Sequence, residues 1–235
     1  MGNQYFKFKQ FLINQDKCAM KVGTDSVLLA CLTGVKNTNN VLDIGTGTGI
    51  ISLMLAQKNN VLKIDAIEID ELAYLQAKEN FENSPFNKQI SIHFGAVQQF
   101  ETITKFDLII TNPPYFINKN NHSIINLQRA KARHDNELSF EEIIEKAYEL
   151  LALNGLLNLI LPLNEAIIFK KLALAKGFFC QQIINIKPKS NKEINRVIFS
   201  FSKQFCIEHT QEFVIYNPDN SQTQDYIELT KDFYL

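Results

Sequence analysis

No run of about eighteen apolar residues occurs in the 235-residue chain, so nothing in it is expected to span a bilayer. The opening residues, MGNQYFKFKQF, lack the apolar stretch that a secretory signal needs. Four cysteines (Cys18, Cys31, Cys180 and Cys206) are scattered without a CxxC spacing, which argues against a disulfide framework or a zinc knuckle. They read as buried or free thiols of a reducing compartment, and a soluble, cytoplasmic protein is expected. A net positive charge is also missing: the formal net charge is −1. Any nucleic-acid binding must therefore rest on local basic patches. No repeat, low-complexity tract or linker divides the chain, and its length suits one α/β domain.

What is present is a regular alternation of two kinds of apolar run. Short β-branched runs occur at 41–45, 62–69, 90–94, 106–111, 156–162 and 196–201. Helical spacing fills 49–57, 71–82, 139–151 and 164–176, and a further helix is expected over about 24–33 with Thr24 as its N-cap. Ser139 followed by Glu142 reads as a capping box. Asn154-Gly155 is expected to close that helix, and Gly177 the next one. Strands apolar on both faces, alternating with helices, predict a Rossmann-like, doubly wound α/β fold with a mostly parallel sheet. Residues 1–38 read as an N-terminal extension with the first helix, 39–203 as the core, and 204–235 as a late strand and docked tail.

The first chemical signal is Val41-Leu42-Asp43-Ile44-Gly45-Thr46-Gly47-Thr48-Gly49. A strand running into three alternate glycines and then a helix lets backbone approach a ligand at the helix N-terminus. The spacing is GxGxG, not the GxGxxG of dinucleotide binding. Asp43 suits a ligand carrying an ammonium group better than a pyrophosphate. About twenty residues after the glycines the second strand ends in Glu68, a place that suits hydrogen bonding to ribose hydroxyls.

The second signal is Asn112-Pro113-Pro114-Tyr115, directly after the FDLIIT strand. An aromatic or amide nitrogen is a poor nucleophile because its lone pair is delocalised. Acceptors aimed at its hydrogens draw it toward a pyramidal, more reactive state. The Asn112 side-chain oxygen and the Pro113 carbonyl are such acceptors, and Tyr115 offers a face for stacking a splayed-out base. The prolines fix the local backbone and remove competing N–H donors. No metal, nucleophile or general base is called for.

Asp43, the glycines and Glu68 together resemble the class I S-adenosylmethionine-dependent methyltransferases. The resemblance implies a seven-stranded sheet, with Asp43 and the Gly45–Gly49 loop at the methionine end of the cofactor and Glu68 at its ribose. It extends the cofactor set to Thr24, Thr46, Ile69 and Val97. An acid often follows the third strand in that superfamily. Here the stretch His93-Phe94-Gly95-Ala96-Val97-Gln98 has none, so backbone groups and apolar packing are expected to hold the adenine.

Flanking sequence narrows the target. Lys119, Arg129, Lys131 and Arg133 follow NPPY in a stretch of 116–134 without an acid, and Lys187, Lys189, Lys192 and Arg196 surround an expected later loop. Both patches suit RNA phosphates, although solvated loops read the same way. With Phe8-Lys9-Gln10-Phe11, the run Met20–Asp25, Arg129–His134, the LSFEE at Leu138 and the closing Phe233-Tyr234-Leu235, the chain looks like the bacterial tRNA1(Val) adenine-37 N6-methyltransferases. That resemblance implies a valine tRNA as partner and extrusion of its target adenine; a monomer is expected, with the oligomeric state left open by the sequence. Methylation of ribosomal RNA adenine or of a protein glutamine remains open, as does a catalytically idle RNA-binding module. The roughly forty residues before the first core strand are too few for the helical N-terminal domain usual among glutamine methyltransferases.

Overall fold

The computed structural model describes residues 3–114 and 138–235. The chain opens with a hairpin of β1 (Tyr5–Lys7) and β2 (Leu12–Asn14), then α1 (Thr24–Leu32). A strand-helix alternation follows: β3 (Asn40–Ile44), α2 (Ile50–Lys58), β4 (Lys63–Glu68), α3 (Glu71–Glu82), β5 (Ile90–Phe94) and β6 (Phe106–Thr111). The remainder comprises α4 (Phe140–Leu150), β7 (Leu151–Pro162), α5 (Leu163–Lys176), β8 (Phe179–Lys189), β9 (Arg196–Ser202), β10 (His209–Tyr216) and α6 (Gln224–Thr230).

The central sheet has the order β10-β8-β9-β7-β6-β3-β4-β5. Strands β7, β6, β3, β4 and β5 run parallel, β9 is antiparallel to both neighbours, and β10 pairs parallel with β8. The expected doubly wound, mostly parallel sheet is present, extended by one strand beyond the seven anticipated. The strand missing from the apolar runs of the sequence is β8, which stands where a loop around Lys187 and Lys189 is expected, and β10 is the late strand expected within 204–235.

The central parallel strands β3 and β6 bury both faces. Val41 of β3 and Leu108 and Ile110 of β6 join a core with α1, α2, α3 and α6, whereas Leu42 and Ile109 join the opposite core with α4 and α5. Helix α2 is buried from Ile50 to Ala56, which explains why IISLMLAQK shows no polar stripe. Truncating Leu53, which is fully buried, removes contacts worth roughly 2–5 kcal/mol.

The helix ends follow local chemistry with two exceptions. Ser139 and Glu142 form the capping box, Asp70 caps α3 by accepting from the Ala73 N–H, and Gly177 ends α5 at φ 105°. Thr24, however, is the first helical residue of α1, and Gly23 holds the cap position without a side-chain bond. Asn154-Gly155 does not close α4 either. That helix ends at Leu150, and Asn154-Gly155 lies inside β7, where the pairing with β6 slips between Phe106↔Leu151 and Leu108↔Leu156. The bulge needs glycine, because a Cβ at Gly155 would lie 2.7 Å from the Phe106 carbonyl oxygen and 2.9 Å from the Leu151 side chain.

The two ends of the chain pack together. Phe8 stacks between Phe11 and Tyr234, and the Lys9 N–H donates to the Phe233 carbonyl at 2.8 Å. The hairpin is tied onward: Asn80 of α3 accepts from the Asn14 N–H and donates both to the Asn14 carbonyl and to the Thr48 carbonyl of the glycine turn, each at 2.9 Å.

Candidate active site

In an open parallel sheet, ligands bind beyond the carboxyl ends of the strands, where the strand order reverses. Here the chain runs outward from β3 to β4 and β5 and then returns to β6 on the other side of β3, so the reversal lies between β3 and β6. A cavity of about 300 Å³ opens at that end of the sheet. Ile44, Gly45 and Gly47 supply it from β3, Ile67 to Asp70 from β4, and Gly95 to Gln98 from the segment after β5. Asn112 and Pro114 follow β6, Leu138 precedes α4, and Cys18 to Met20 come from the segment before α1.

The glycine turn is built by three positive φ angles, 69° at Gly45, 57° at Gly47 and 83° at Gly49, which L side chains rarely adopt. Their surroundings differ. A Cβ at Gly45 or Gly47 would meet nothing within 4 Å, whereas one at Gly49 would lie 2.4 Å from Phe81. Gly45 and Gly47 thus leave room for a ligand, and Gly49 lets α2 pack against α3.

Glu68 holds the turn from the side. Its Oε2 accepts the Gly47 N–H at 2.8 Å, and its Oε1 accepts the N–H groups of Ile69 at 2.9 Å and Asp70 at 3.0 Å. An ionised carboxylate offers about four lone-pair sites, so capacity remains for a further donor such as a ribose hydroxyl.

Asp43 does not form part of the cavity wall. It is completely buried, with Oδ2 accepting from the Thr46 hydroxyl at 2.6 Å and the Ser52 hydroxyl at 2.7 Å. Its Oδ1 is buried and has no hydrogen-bond partner among the described residues. Burial pushes the carboxyl up to about 6, against the two hydroxyls, which pull it down. A buried carboxylate with an open acceptor creates a local demand for positive charge or a donor. Together with Glu68 and Asp70 it makes three acids that line or back the cavity, and among the described residues no lining side chain is cationic. A cationic ligand carrying an ammonium group fits this field.

The remaining walls are apolar or neutral. Ala96 lines the cavity after β5, and Val97 is buried beside it in a short 3-10 turn, Val97–Gln99. Ile69 and Leu138 add apolar surface. Gln98 hydrogen-bonds Glu142 of the α4 capping box, which holds that carboxyl below its ordinary range. The Cys18 thiol is pushed up to about 11, chiefly by burial and further by Glu68, Asp70 and Asp16, so it stays protonated and unreactive.

Asn112 directly follows β6 and lines the same cavity as Glu68 and the glycine turn. Its Nδ2 donates to the Ser26 hydroxyl of α1 at 3.0 Å. The strand end is anchored by Thr111, whose hydroxyl donates to the Ile44 carbonyl at 2.9 Å. Pro113 is buried, and Pro114 is exposed on the cavity wall.

Of the residues singled out from sequence, the structure gathers Gly45, Gly47, Glu68, Ile69, Val97 and Asn112 around one cavity. Asp43, Thr46 and Gly49 form a layer behind it. Thr24 is exposed at the start of α1 and is not part of the wall. Tyr115, Lys119, Arg129, Lys131 and Arg133 lie outside the described residues. Lys187 and Lys189 belong to β8, not to a loop, and bond Glu212 and the Pro218 carbonyl, each at 3.0 Å. Arg196 opens β9 and turns to Asp25 at 2.7 Å. Sequence reasoning missed Cys18, Ala19, Met20, Asp70 and Leu138 as wall residues. The run Met20–Asp25 stands out in the sequence only as part of a resemblance.

Comparison with known proteins agrees with the geometry. A family model described as "Methyltransferase small domain" matches residues 18–184. A tRNA1(Val) (adenine(37)-N6)-methyltransferase of Flavobacterium psychrophilum is 42% identical over 98% of this chain and 99% of its own length. One of the same description from Trichodesmium erythraeum is 39% identical over 100% and 99%. Among solved structures, a predicted O-methyltransferase from Agrobacterium tumefaciens superposes with a TM-score of 0.68 at 16% identity, over 89% of this chain and 96% of that one, a likeness of fold.

Proposed function

The chain belongs to the methyltransferase small-domain family and, within it, to the tRNA1(Val) (adenine(37)-N6)-methyltransferases, and we propose on that footing that it methylates the exocyclic N6 amine of adenine 37 in a valine tRNA. The observation that carries the proposal is the placing of Asn112 on the same cavity wall as Glu68 and the glycine turn. S-adenosylmethionine, when bound, supplies a methyl group already activated on a sulfonium.

The residues present fit that cofactor. Open space at Gly45 and Gly47 admits its backbone-facing end, and the unpartnered Asp43 Oδ1 behind the turn favours its ammonium, directly or through a water. The remaining lone pairs of Glu68 suit the ribose hydroxyls. Ile69, Ala96, Val97 and Leu138 give an apolar slot for its adenine.

Asn112 Oδ1 and the Pro113 carbonyl accept the two hydrogens of the target amine. This holds the nitrogen in line with the methyl group and favours its pyramidal form. Tyr115 stacks on the extruded base. The basic residues Lys119, Arg129, Lys131 and Arg133 track phosphates around the looped nucleotide, and Lys187, Lys189 and Arg196 play the smaller part because each already has an internal partner. Action on tRNA places the protein in the cytoplasm. Among the described residues, no helix is long and apolar enough to cross a membrane.

The test is transfer from methyl-labelled S-adenosylmethionine to total tRNA from cells lacking the gene, followed by digestion and separation of nucleosides. Label in N6-methyladenosine of a valine tRNA supports the proposal. Label on ribosomal RNA or on a protein, with none on tRNA, overturns the substrate and keeps the methyl transfer.

A further inference from the structure

We infer that Asn80 and Gln76 of α3 are positioning residues for S-adenosylmethionine, fixing two walls of its cavity and, through them, its affinity. The inference rests on the reading of that cavity as the cofactor site, not on the identity of the methyl acceptor. The two residues stand four apart, so both lie on one face of the helix, and they are 2% and 0% exposed. Ala73, a turn earlier on that face, lines the cavity itself.

A buried carboxamide is costly unless its donors and acceptor find partners. Those of Asn80 are all backbone groups. Its Oδ1 accepts the Asn14 N–H, and its Nδ2 donates to the Asn14 and Thr48 carbonyls, each at 2.9 Å. A backbone N–H only donates and a carbonyl only accepts, so the amide fits one way round; turned over, it would set like against like at all three contacts. Gln76 Oε1 accepts the Lys17 N–H at 3.0 Å, again a group of fixed sense, and its Nε2 lies 3.4 Å from the Glu79 carboxylate. The exposed ion pair of Lys17 with Glu79, at 3.1 Å, adds little beside these buried bonds.

The backbone they hold belongs to two stretches that reach the cavity separately. Thr48 lies in the glycine turn, whose Gly45 and Gly47 form one wall. Asn14 and Lys17 lead into Cys18, Ala19 and Met20, which form another. The two amide hydrogens of Asn80 therefore join one wall to the other, and Gln76 fixes the second wall again three residues further on. A ligand that touches both walls binds less tightly when the gap between them is no longer set. Asn112 reaches the cavity from β6 and keeps its place.

Calorimetry with S-adenosylmethionine, at a temperature where urea unfolding shows each protein folded, compares wild type with Asn80→Ala, Asn80→Asp and Gln76→Leu. Asn80→Ala is expected to raise the Kd about tenfold, with the bound stoichiometry unchanged. Asn80→Asp keeps the acceptor for Asn14 but sets an oxygen against the Thr48 carbonyl, and raises the Kd further. Gln76→Leu loses one bond to one wall and raises it about threefold. In methyl transfer the KM for the cofactor rises with the Kd, and kcat at saturating cofactor stays within about twofold of wild type. A role confined to stability would instead lower the unfolding free energy and the bound stoichiometry, and leave the Kd of the folded molecules alone. A Kd for Asn80→Ala within about twofold of wild type, or a fall in kcat without a rise in cofactor KM, overturns the inference. If the Asn80 variants do not fold, Gln76→Leu carries the test, and an unchanged Kd there overturns it. A wild type that binds no S-adenosylmethionine overturns the cofactor reading and this inference with it. Binding without transfer to tRNA overturns the proposed substrate alone, and the Kd comparison still decides the roles of Asn80 and Gln76.

Discussion

Glu68 and Gly47 are joined by a 2.8 Å hydrogen bond from the glycine N–H to the carboxylate, so the two sequence signals of the cofactor site, 21 residues apart, are one physical unit. With the Ile69 and Asp70 amides on the other oxygen, the carboxylate orders the turn and the end of β4 together.

Glu68→Ala should therefore weaken both fold and ligand binding. Three amides lose a charged acceptor in a largely buried place, a loss of about 2 kcal/mol or more in unfolding free energy. Affinity for S-adenosylmethionine should drop at least tenfold. Urea unfolding and calorimetry measure the two separately, and a variant that loses affinity at wild-type stability would show that the carboxylate does not brace the turn.

The Asp43 carboxyl, pushed up to about 6 by burial, makes the folded protein bind a proton more readily than the unfolded chain between about pH 4 and pH 6. Stability should fall as pH rises through that window, by on the order of 2 kcal/mol, and the penalty stays constant above it. Asp43→Asn removes this slope, so its stability relative to wild type should improve between about pH 4 and pH 6.5. Saturating S-adenosylmethionine should flatten the wild-type slope, because a nearby ammonium favours the charged carboxylate. A wild-type and variant difference that is the same at every pH would sink this account.

Asn112→Ala should lower kcat by on the order of a hundredfold or more while leaving the Kd for S-adenosylmethionine within a few-fold, since the carboxamide is assigned to the amine. Single-turnover kinetics and calorimetry give the two quantities. Loss of cofactor binding as the main effect would move Asn112 into the cofactor site.

Gly49→Ala and Gly45→Ala should separate. A methyl at Gly49 meets the Phe81 ring at 2.4 Å in a left-handed backbone, so the fold should lose roughly 2–5 kcal/mol. At Gly45 there is open space, and only backbone strain of about 1–2 kcal/mol is expected, with the larger effect on cofactor affinity. Chemical denaturation of the pair settles it: equal losses of stability would mean that Phe81 moves aside.

Most of the core was legible because its signals are local. The bounds of α3, β5 and β6 follow from capping, periodicity and β-branched runs, and GxGxG, Glu68 and Asn112 each stand at a strand end. What escaped depends on partners distant in the chain. Gly155 reads as a turn until the Phe106 carbonyl is found against it. Asp43 reads as a contact residue until burial shows that it stands behind the turn. Lys187, Lys189 and Arg196 read as a free basic patch until Glu212, the Pro218 carbonyl and Asp25 come up beside them. Cys18 to Met20 have no chemistry of their own, and only the path of the chain brings them to the cavity.

The stacking of Tyr234 on Phe8 bears on the order of events during synthesis. A ribosome that has made residues 1–230 has supplied every strand of the sheet and all six described helices, yet Phe8 still lacks its cover, and the Lys9 amide lacks the Phe233 carbonyl. The hairpin that carries Phe8 is the one that grips Asn80, and Asn80 grips the Thr48 carbonyl. The aromatic cover of Phe8 is thus linked, through the hairpin and Asn80, to the backbone of the glycine turn.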